Sequence, residues 1–175
     1  YFLAVIFPDH QMQIMGYHRV IRDLNGLTRE EFLKRIGEAF TVETVGGQAK
    51  PSRAHEFGMH MKGQWYRLNI KPDRIPADDP VKRLDVSLLQ DNLIAPVLGI
   101  TDPRRDQRID FVGGIRGLNE LERRVDSGEM AVAFALYPTS IGDMMAVADA
   151  GEVMPPKSTW FEPKLADGLV SHLLG

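Results

Sequence analysis

The sequence predicts an α/β fold, with α+β as the alternative, in which one mixed sheet is flanked by about four helices. Short apolar segments alternate along the chain with segments of helical periodicity. Residues 130–136 are apolar throughout and are followed by Pro138, which is typical of a central strand covered on both faces. With 175 residues and 43% hydrophobic content, the chain can bury one substantial core. We therefore expect residues 1–175 to form a single compact domain.

Strands are predicted where apolar runs end at turn residues. Residues 2–7 end at Pro8 and should form an antiparallel hairpin with residues 12–21. Lys62-Gly63 is a two-residue connection typical of a hairpin, and Gly113-Gly114 ends the strand before it. The predicted strands are residues 2–7, 12–21, 56–61, 64–70, 108–112, 130–136, 158–161 and 169–174.

Four helices are predicted from their start signals and from the spacing of apolar side chains. Thr28 and Glu31 form a capping box before the first helix, Asp85 can cap the second, Gly128 ends the third, and Ser140 caps the fourth. The side chains expected to face the core are Phe32, Leu33, Ile36 and Phe40, then Val86, Leu89 and Leu93, then Leu118, Leu121 and Val125, and finally Met144, Met145 and Ala148.

Composition excludes several classes of function. The net charge of −3 and the pI near 6.0 give no basic footprint for nucleic acid. The chain has no cysteine, which excludes disulfides and fits a reducing cytoplasm. No apolar run reaches the roughly 18 residues of a membrane span. The opening residues 1–7 are apolar and contain no Met, so we expect this chain to be the C-terminal lobe of a longer, cytoplasmic protein.

Metal and hydrolase sites are not predicted. His55 and His60 are five positions apart, whereas a zinc-protease helix needs four to place both rings on one face. His10, His18 and His172 are interpreted as surface or edge histidines. The Gly-x-Ser-x-Gly pattern of a nucleophile elbow is absent from the sequence. Catalytic residues therefore remain unassigned.

The first predicted anion site follows strand 108–112. There Gly113 and Gly114 permit a close approach, and the amides at the start of the next helix can hold phosphate or carboxylate. Arg116 could add a bidentate contact, and Asp110 could face the same crevice. In the alternative interpretation, the two glycines only turn the chain and Arg116 is solvated.

The second predicted anion site is in residues 155–164. It overlaps residues 151–159, which nearly match a nucleotide-binding P-loop. Pro156 replaces the second glycine and has no N–H, and the segment follows a predicted helix rather than a strand, so we do not expect a P-loop. Lys157, Ser158 and Thr159 nevertheless present a cation beside two hydroxyls. The alternative is an edge strand protected by prolines, with aromatic side chains in the core.

Several segments closely resemble a bacterial family called "domain of unknown function 1015". These are residues 2–8, 17–26, 108–114 and 151–164, with His18 where the family pattern leads us to expect Asn. The resemblance spans nearly the whole chain. It implies that full-length members carry an N-terminal Asp-Gly-His-His-Arg motif, absent here, which resembles that of ParB/sulfiredoxin-like proteins, including free-serine kinases.

Two functions follow from the residues and the resemblance together. In the first, the chain is one lobe of a small-molecule phosphotransferase resembling a serine kinase. Its cofactor would be ATP or ADP with Mg, and its partners a small anionic metabolite and its own N-terminal domain. Arg19, Arg116 and Lys157 would supply positive charge, and Asp110 would contact a metal or a hydroxyl. In the second, the chain is a non-catalytic structural or homo-oligomerisation domain. If the site is shared, Lys157 or Ser158 should lie near Arg116 or Asp110.

Overall fold

The computed structural model describes residues 6, 8 and 11–164 of the chain. The predicted strand at 169–174 lies outside the described residues. So does the predicted strand at 2–7, apart from residue 6. Eight strands are described: β1 Gln13–Met15, β2 Tyr17–Ile21, β3 Phe40–Val45, β4 Glu56–Met61, β5 Gln64–Ile70, β6 Ile109–Gly113, β7 Val132–Leu136 and β8 Trp160–Glu162. The α-helices within these residues are α1 Arg29–Ile36, α2 Asp85–Leu89, α3 Gly117–Asp126 and α4 Ile141–Asp149.

Six strands form one sheet in the order β3-β5-β4-β7-β2-β6. The predicted combination of one sheet with about four helices is confirmed, and each of the described pairings is antiparallel. The prediction of a central strand at 130–136 is confirmed by β7, which lies between β4 and β2 and is buried throughout. The predicted hairpin across Lys62-Gly63 is confirmed by β4 and β5.

The sheet separates two apolar clusters. Helices α1 and α2 cover one face, where Phe32, Leu89 and Phe134 belong to the larger cluster. Helix α3 covers the other face, where Leu121 and Val125 pack in the smaller cluster with Val20 and Ala133. Neighbouring residues of a strand point to opposite faces, so β2 and β7 contribute to both clusters.

A single strand at 12–21 was predicted, and this is wrong at Gly16. Strand β1 ends at Met15 and pairs with β8 in a separate two-stranded sheet, whereas β2 joins the main sheet. A Cβ on Gly16 would lie 2.3 Å from the carbonyl oxygen of Leu136. A side chain cannot fit there, and the chain changes sheets at this glycine.

The first predicted helix extends too far. Helix α1 ends at Ile36, and Phe40 instead begins β3, a strand that the sequence interpretation missed. Phe40 has the helical spacing from Ile36, but Gly37 caps the helix between them. The capping box of Thr28 and Glu31 is confirmed.

Two further helix predictions need correction. Leu84, not Asp85, is the N-cap of α2, and the Asp85 carboxylate accepts a hydrogen bond from the amide of His55 at 2.8 Å. In α4 the buried residue is Val147, whereas the predicted core residue Met145 is 60% exposed. The predicted cap at Ser140 is confirmed, and with Asp143 it forms a capping box.

Candidate functional site

Arg19 is a buried cation in the middle of β2. Its residue is 5% exposed, and its Nη2 donates a hydrogen bond to the carbonyl of Lys157 at 3.0 Å. Nη1 donates to the carbonyl of Tyr17. The guanidinium lies over the ring of Phe111, 5.5 Å from its centre. These contacts hold the guanidinium plane in one orientation.

Burial lowers the pKa of Arg19 to about 10, and the group is therefore still charged at neutral pH. Its polar contacts within residues 11–164 are carbonyl oxygens, and none of the ion pairs found there includes Arg19. Burying a charge raises the free energy of the folded state unless an opposite charge lies next to it. Among residues 11–164, Arg19 is thus a buried cation without an ion-pair partner.

A cavity of about 380 Å³, which we call the Arg19 cavity, opens beside this side chain. Its walls combine apolar side chains with a few polar groups, as small-molecule sites do. The lining residues are Arg19, Val86, Ser87, Gln90, Asp91, Asp102, Pro103, Arg104, Ile109, Phe111, Pro155 and Pro156.

Charges of both signs line the Arg19 cavity. Arg104 donates to both carboxylate oxygens of Asp102, at 3.0 and 3.2 Å. This pairing lowers the pKa of Asp102, so its carboxylate is ionised. Asp91 is a second, exposed carboxylate on the wall. Arg19 and Arg104 offer a phosphate two cations, while the acidic side chains could take part in holding its counter-ion.

Residues 157–159 adjoin Arg19. The Lys157 ammonium lies 5.5 Å from the centre of the Tyr17 ring, and its backbone has a φ of +58°. Ser158 is buried; its hydroxyl donates to the carbonyl of Pro155, and its carbonyl accepts from Thr139 at 3.0 Å. Thr159 is half-buried. The segment follows α4 and precedes β8, which is the reverse of P-loop order.

Gly113 ends β6 and Gly114 begins the short 3-10 turn before α3, so the two glycines join a strand to a helix, as predicted. A Cβ on Gly113 would lie 2.4 Å from the ring of Trp160, and one on Gly114 would lie 2.6 Å from the carbonyl oxygen of Gly16. The close approach that these glycines allow is therefore made by protein atoms. Arg116 is exposed in the short 3-10 turn before α3.

Asp110 lies on the face opposite Arg19. Arg19 pairs with Phe111 across the strands, so the neighbouring Asp110 points to the side of α3. There its carboxylate accepts from Arg124 at 2.7 Å. The structure thus groups Arg19 with Lys157. Within the described ranges, hydrogen bonds and ion pairs do not join Lys157 or Ser158 to Arg116 or Asp110. Anion binding by these residues remains a prediction.

The sequence did not predict most of the residues that line the Arg19 cavity, and the prediction that His18 lies at the surface or at an edge is wrong. Ser87, Gln90 and Arg104 were not singled out, because they come from loops and a helix that meet only in the folded chain. His18 was interpreted as a surface or edge residue, but it is 6% exposed on an interior strand. The polar His18-Arg19 pair inside an otherwise apolar strand is the signal that could have marked both.

The described residues contain neither a metal-ligand cluster nor a membrane-spanning helix. Across residues 11–164, groups of three or more His, Asp or Glu side chains do not converge as metal ligands would. Over the same stretch, no helix has the length and apolar character needed to cross a membrane.

Residues 1–87 match the family described as "Protein of unknown function (DUF1015)", which confirms the predicted resemblance over the segments 2–8 and 17–26. The resembling segments 108–114 and 151–164 lie outside this match. No curated protein matches the chain.

Solved structures share the fold at low sequence identity. A mutant free serine kinase in complex with AMP is 15% identical with a TM-score of 0.52, and the match covers 87% of this chain and 55% of that one. A conserved hypothetical protein from Pyrococcus furiosus is 14% identical with a TM-score of 0.52, covering 87% and 57%. This chain therefore spans little more than half the length of these structures. The similarity shows a fold like that of the kinase.

Proposed function

We propose that this chain is one lobe of a small-molecule phosphotransferase and that its contribution is to bind a nucleotide phosphate in the Arg19 cavity. The observation that carries the proposal is the buried Arg19 guanidinium, which lines a cavity and is held by carbonyl oxygens, with no carboxylate bonded to it among residues 11–164. A bound phosphate would supply the missing negative charge.

The walls of the cavity suit the rest of a nucleotide. Phe111 and Ile109 provide an apolar surface against which a base can pack, and Pro155 and Pro156 add to it. Ser87 and Gln90 add a hydroxyl and an amide as hydrogen-bonding groups. The fold shared with a kinase that binds AMP supports this assignment.

Phosphoryl transfer depends mainly on positioning and on positive charge. In this proposal Arg19 and Arg104 hold phosphate oxygens, Lys157 adds charge from the adjoining loop, and Asp91 or Asp102 contributes to holding Mg²⁺. The general base is assigned to the upstream part of a longer protein, as the family resemblance implies. The acceptor substrate would be a small metabolite.

Nucleotide binding can be tested by calorimetry with ADP and AMP, in the presence of Mg²⁺. Arg19→Lys keeps the charge but loses the planar fork, so we expect the Kd for ADP to rise about tenfold, or about 1.4 kcal/mol. Arg104→Ala should weaken binding by a few-fold. Arg105→Ala is the matched control, because Arg105 also pairs with Asp102 but lies outside the cavity wall.

Two outcomes would contradict the proposal: the parent chain binds neither nucleotide, or Arg104→Ala and Arg105→Ala have the same effect. Either result would favour the alternative of a non-catalytic structural or oligomerisation domain. Because Arg104 is exposed, its variant remains informative if Arg19→Lys fails to fold.

A further inference from the structure

A second cavity, of about 410 Å³, lies on the opposite face of the sheet, and we call it the His18 cavity. His18 and Arg19 are neighbours on β2, so their side chains point to opposite faces. The cavity is lined by Gln13, Ile14, Met15, Gly16, His18, Gln48, Lys50, Pro51, Gly114, Gly117, Leu118, Leu136 and Pro138. It is therefore separate from the Arg19 cavity.

The hydrogen bond to Leu136 determines the tautomer of His18. The backbone N–H of Leu136 donates to Nδ1 at 3.2 Å, so Nδ1 is unprotonated and Nε2 carries the hydrogen. Burial, and secondarily the charge of Arg19, lower the pKa of His18 to about 4. The ring is therefore neutral near pH 7 and keeps Nε2–H as a donor.

This donor has nothing to bond to among the residues that the structure describes. The hydrogen bond of His18 found there uses Nδ1, and the ring edge that remains for the cavity is Nε2–H. A ligand atom in the cavity can accept a hydrogen bond from Nε2–H.

Other groups around the cavity favour a negative charge. Leu118 lines the cavity in the first turn of α3, a ten-residue helix whose N-cap, Arg116, makes no side-chain capping bond. The amide of Gly117 already donates to the carbonyl oxygen of Gly114. The amides of such a turn attract anions. Lys50 adds an exposed ammonium, and the side chains known to line this cavity include no carboxylate.

The wall of the cavity contains both polar and apolar side chains. Gln48, one of the polar lining residues, already donates to Asn119 at 2.6 Å and to Glu122 at 2.9 Å, so its amide is oriented by α3. Ile14, Met15, Leu118 and Leu136 form the apolar part. A ligand with an anionic head and a small apolar body matches this arrangement.

We propose that the His18 cavity binds a small organic anion. The carboxylate or phosphate of that anion accepts from His18 Nε2–H and from the first-turn amides of α3 that follow Gly117, and it pairs with Lys50. This site goes beyond the proposed nucleotide site and does not depend on it.

The test is a nuclear magnetic resonance titration of the ¹⁵N-labelled chain at constant ionic strength near pH 7. Inorganic phosphate and acetate are titrated separately, which distinguishes the two kinds of anionic head, with chloride as the reference. We expect the His18 Nε2–H and the amide of Leu118 to shift in a saturable way with phosphate or acetate. Millimolar Kd values, about −4 kcal/mol, are expected for such small probes.

Lys50→Ala should raise the Kd of the bound probe about fivefold or more, since it removes the charge that pairs with the anion. Lys34→Ala, an exposed lysine on α1, is the control and should leave the Kd unchanged. His18→Gln should abolish saturable binding. If His18→Gln does not fold, the comparison of Lys50→Ala with Lys34→Ala still tests the proposal.

The proposal is overturned if neither anion shifts these resonances up to about 50 mM, well above the expected Kd. It is equally overturned if Lys50→Ala and Lys34→Ala have equal effects. ADP binding is followed through the resonances of residues in the Arg19 cavity, whereas anion binding is followed through those of the His18 cavity. Failure of the nucleotide proposal can therefore be distinguished from failure of the anion proposal.

Discussion

Asp85 is a half-buried carboxylate that shares a small cavity with a second one, Asp143. Burial is the main cause that raises the pKa of Asp85 to about 7, and the charge of Asp143 raises it as well. The hydrogen bond from the His55 amide acts in the opposite direction. Because an unfolded aspartate has a pKa of about 3.9, the folded chain binds a proton between about pH 4 and pH 7 that the unfolded chain has lost. The free energy of unfolding should therefore fall as the pH rises through this range.

Asp85→Asn should remove that loss of stability, because the amide oxygen can still accept from His55 while carrying no charge. We expect the stability of the variant relative to the parent to increase from about pH 4 to pH 7, by up to about 1.4 kcal/mol per pH unit. Urea unfolding at several pH values measures it. Asp78→Asn, at an exposed loop position, is the control and should follow the parent curve. An Asp85→Asn curve parallel to the parent would refute the prediction.

At the scale of elements, α1 shows how local signals position a helix. Thr28 Oγ1 accepts from the Glu31 amide at 3.2 Å, and the Glu31 carboxylate accepts from the Thr28 amide at 2.9 Å. Both bonds satisfy amides that the helix itself leaves unpaired. The buried side chains of Phe32 and Ile36 then fix α1 on the sheet.

Thr28→Ala should destabilise the chain by about 0.5–2 kcal/mol, the usual cost of losing an N-cap side chain. Equilibrium denaturation gives the value. Thr101→Ala serves as the reference, since Thr101 is exposed in a bend and caps no helix. Equal losses for the two variants would show that the capping box contributes nothing.

The elements that were predictable from sequence are those with local signals. A pattern of a few neighbouring residues predicts each of these elements: the two helix caps, the β4–β5 hairpin and the apolar β7. Strand β3 was missed because Phe40 continues the apolar spacing of α1. Arg19 and Lys157 were found as candidate residues, but their proximity was not. The role of His18 depends on a bond to Leu136, 118 positions away, and such a contact leaves no local trace.

At the scale of the whole molecule, β7 connects two parts of the sheet. It pairs with β4 on one side and with β2 on the other, and β2 and β4 do not pair with each other. The segment 1–87, which matches the family, contains both of these strands but not β7. Without β7, each would present an unpaired apolar edge.

A fragment of residues 1–87 should therefore fail to fold cooperatively. We expect poorly dispersed amide resonances and no sigmoidal urea transition, whereas the 175-residue chain should show both dispersion and a single transition. Adding a peptide of residues 128–140 to the fragment is a further check on the role of β7. A well-dispersed spectrum for the fragment alone would show that the first half is self-sufficient.

The late position of β7 has a consequence for the protein during its synthesis. A ribosome adds roughly 5–20 residues per second. Several seconds therefore pass between the synthesis of β4 and that of β7, the strand that lies between β2 and β4. Throughout that interval the nascent chain exposes two β edges that can pair with another molecule. Slowing translation between β5 and β7 would prolong this stage. We therefore expect the yield of soluble protein to depend on elongation rate and on the supply of chaperones that shield unpaired strands.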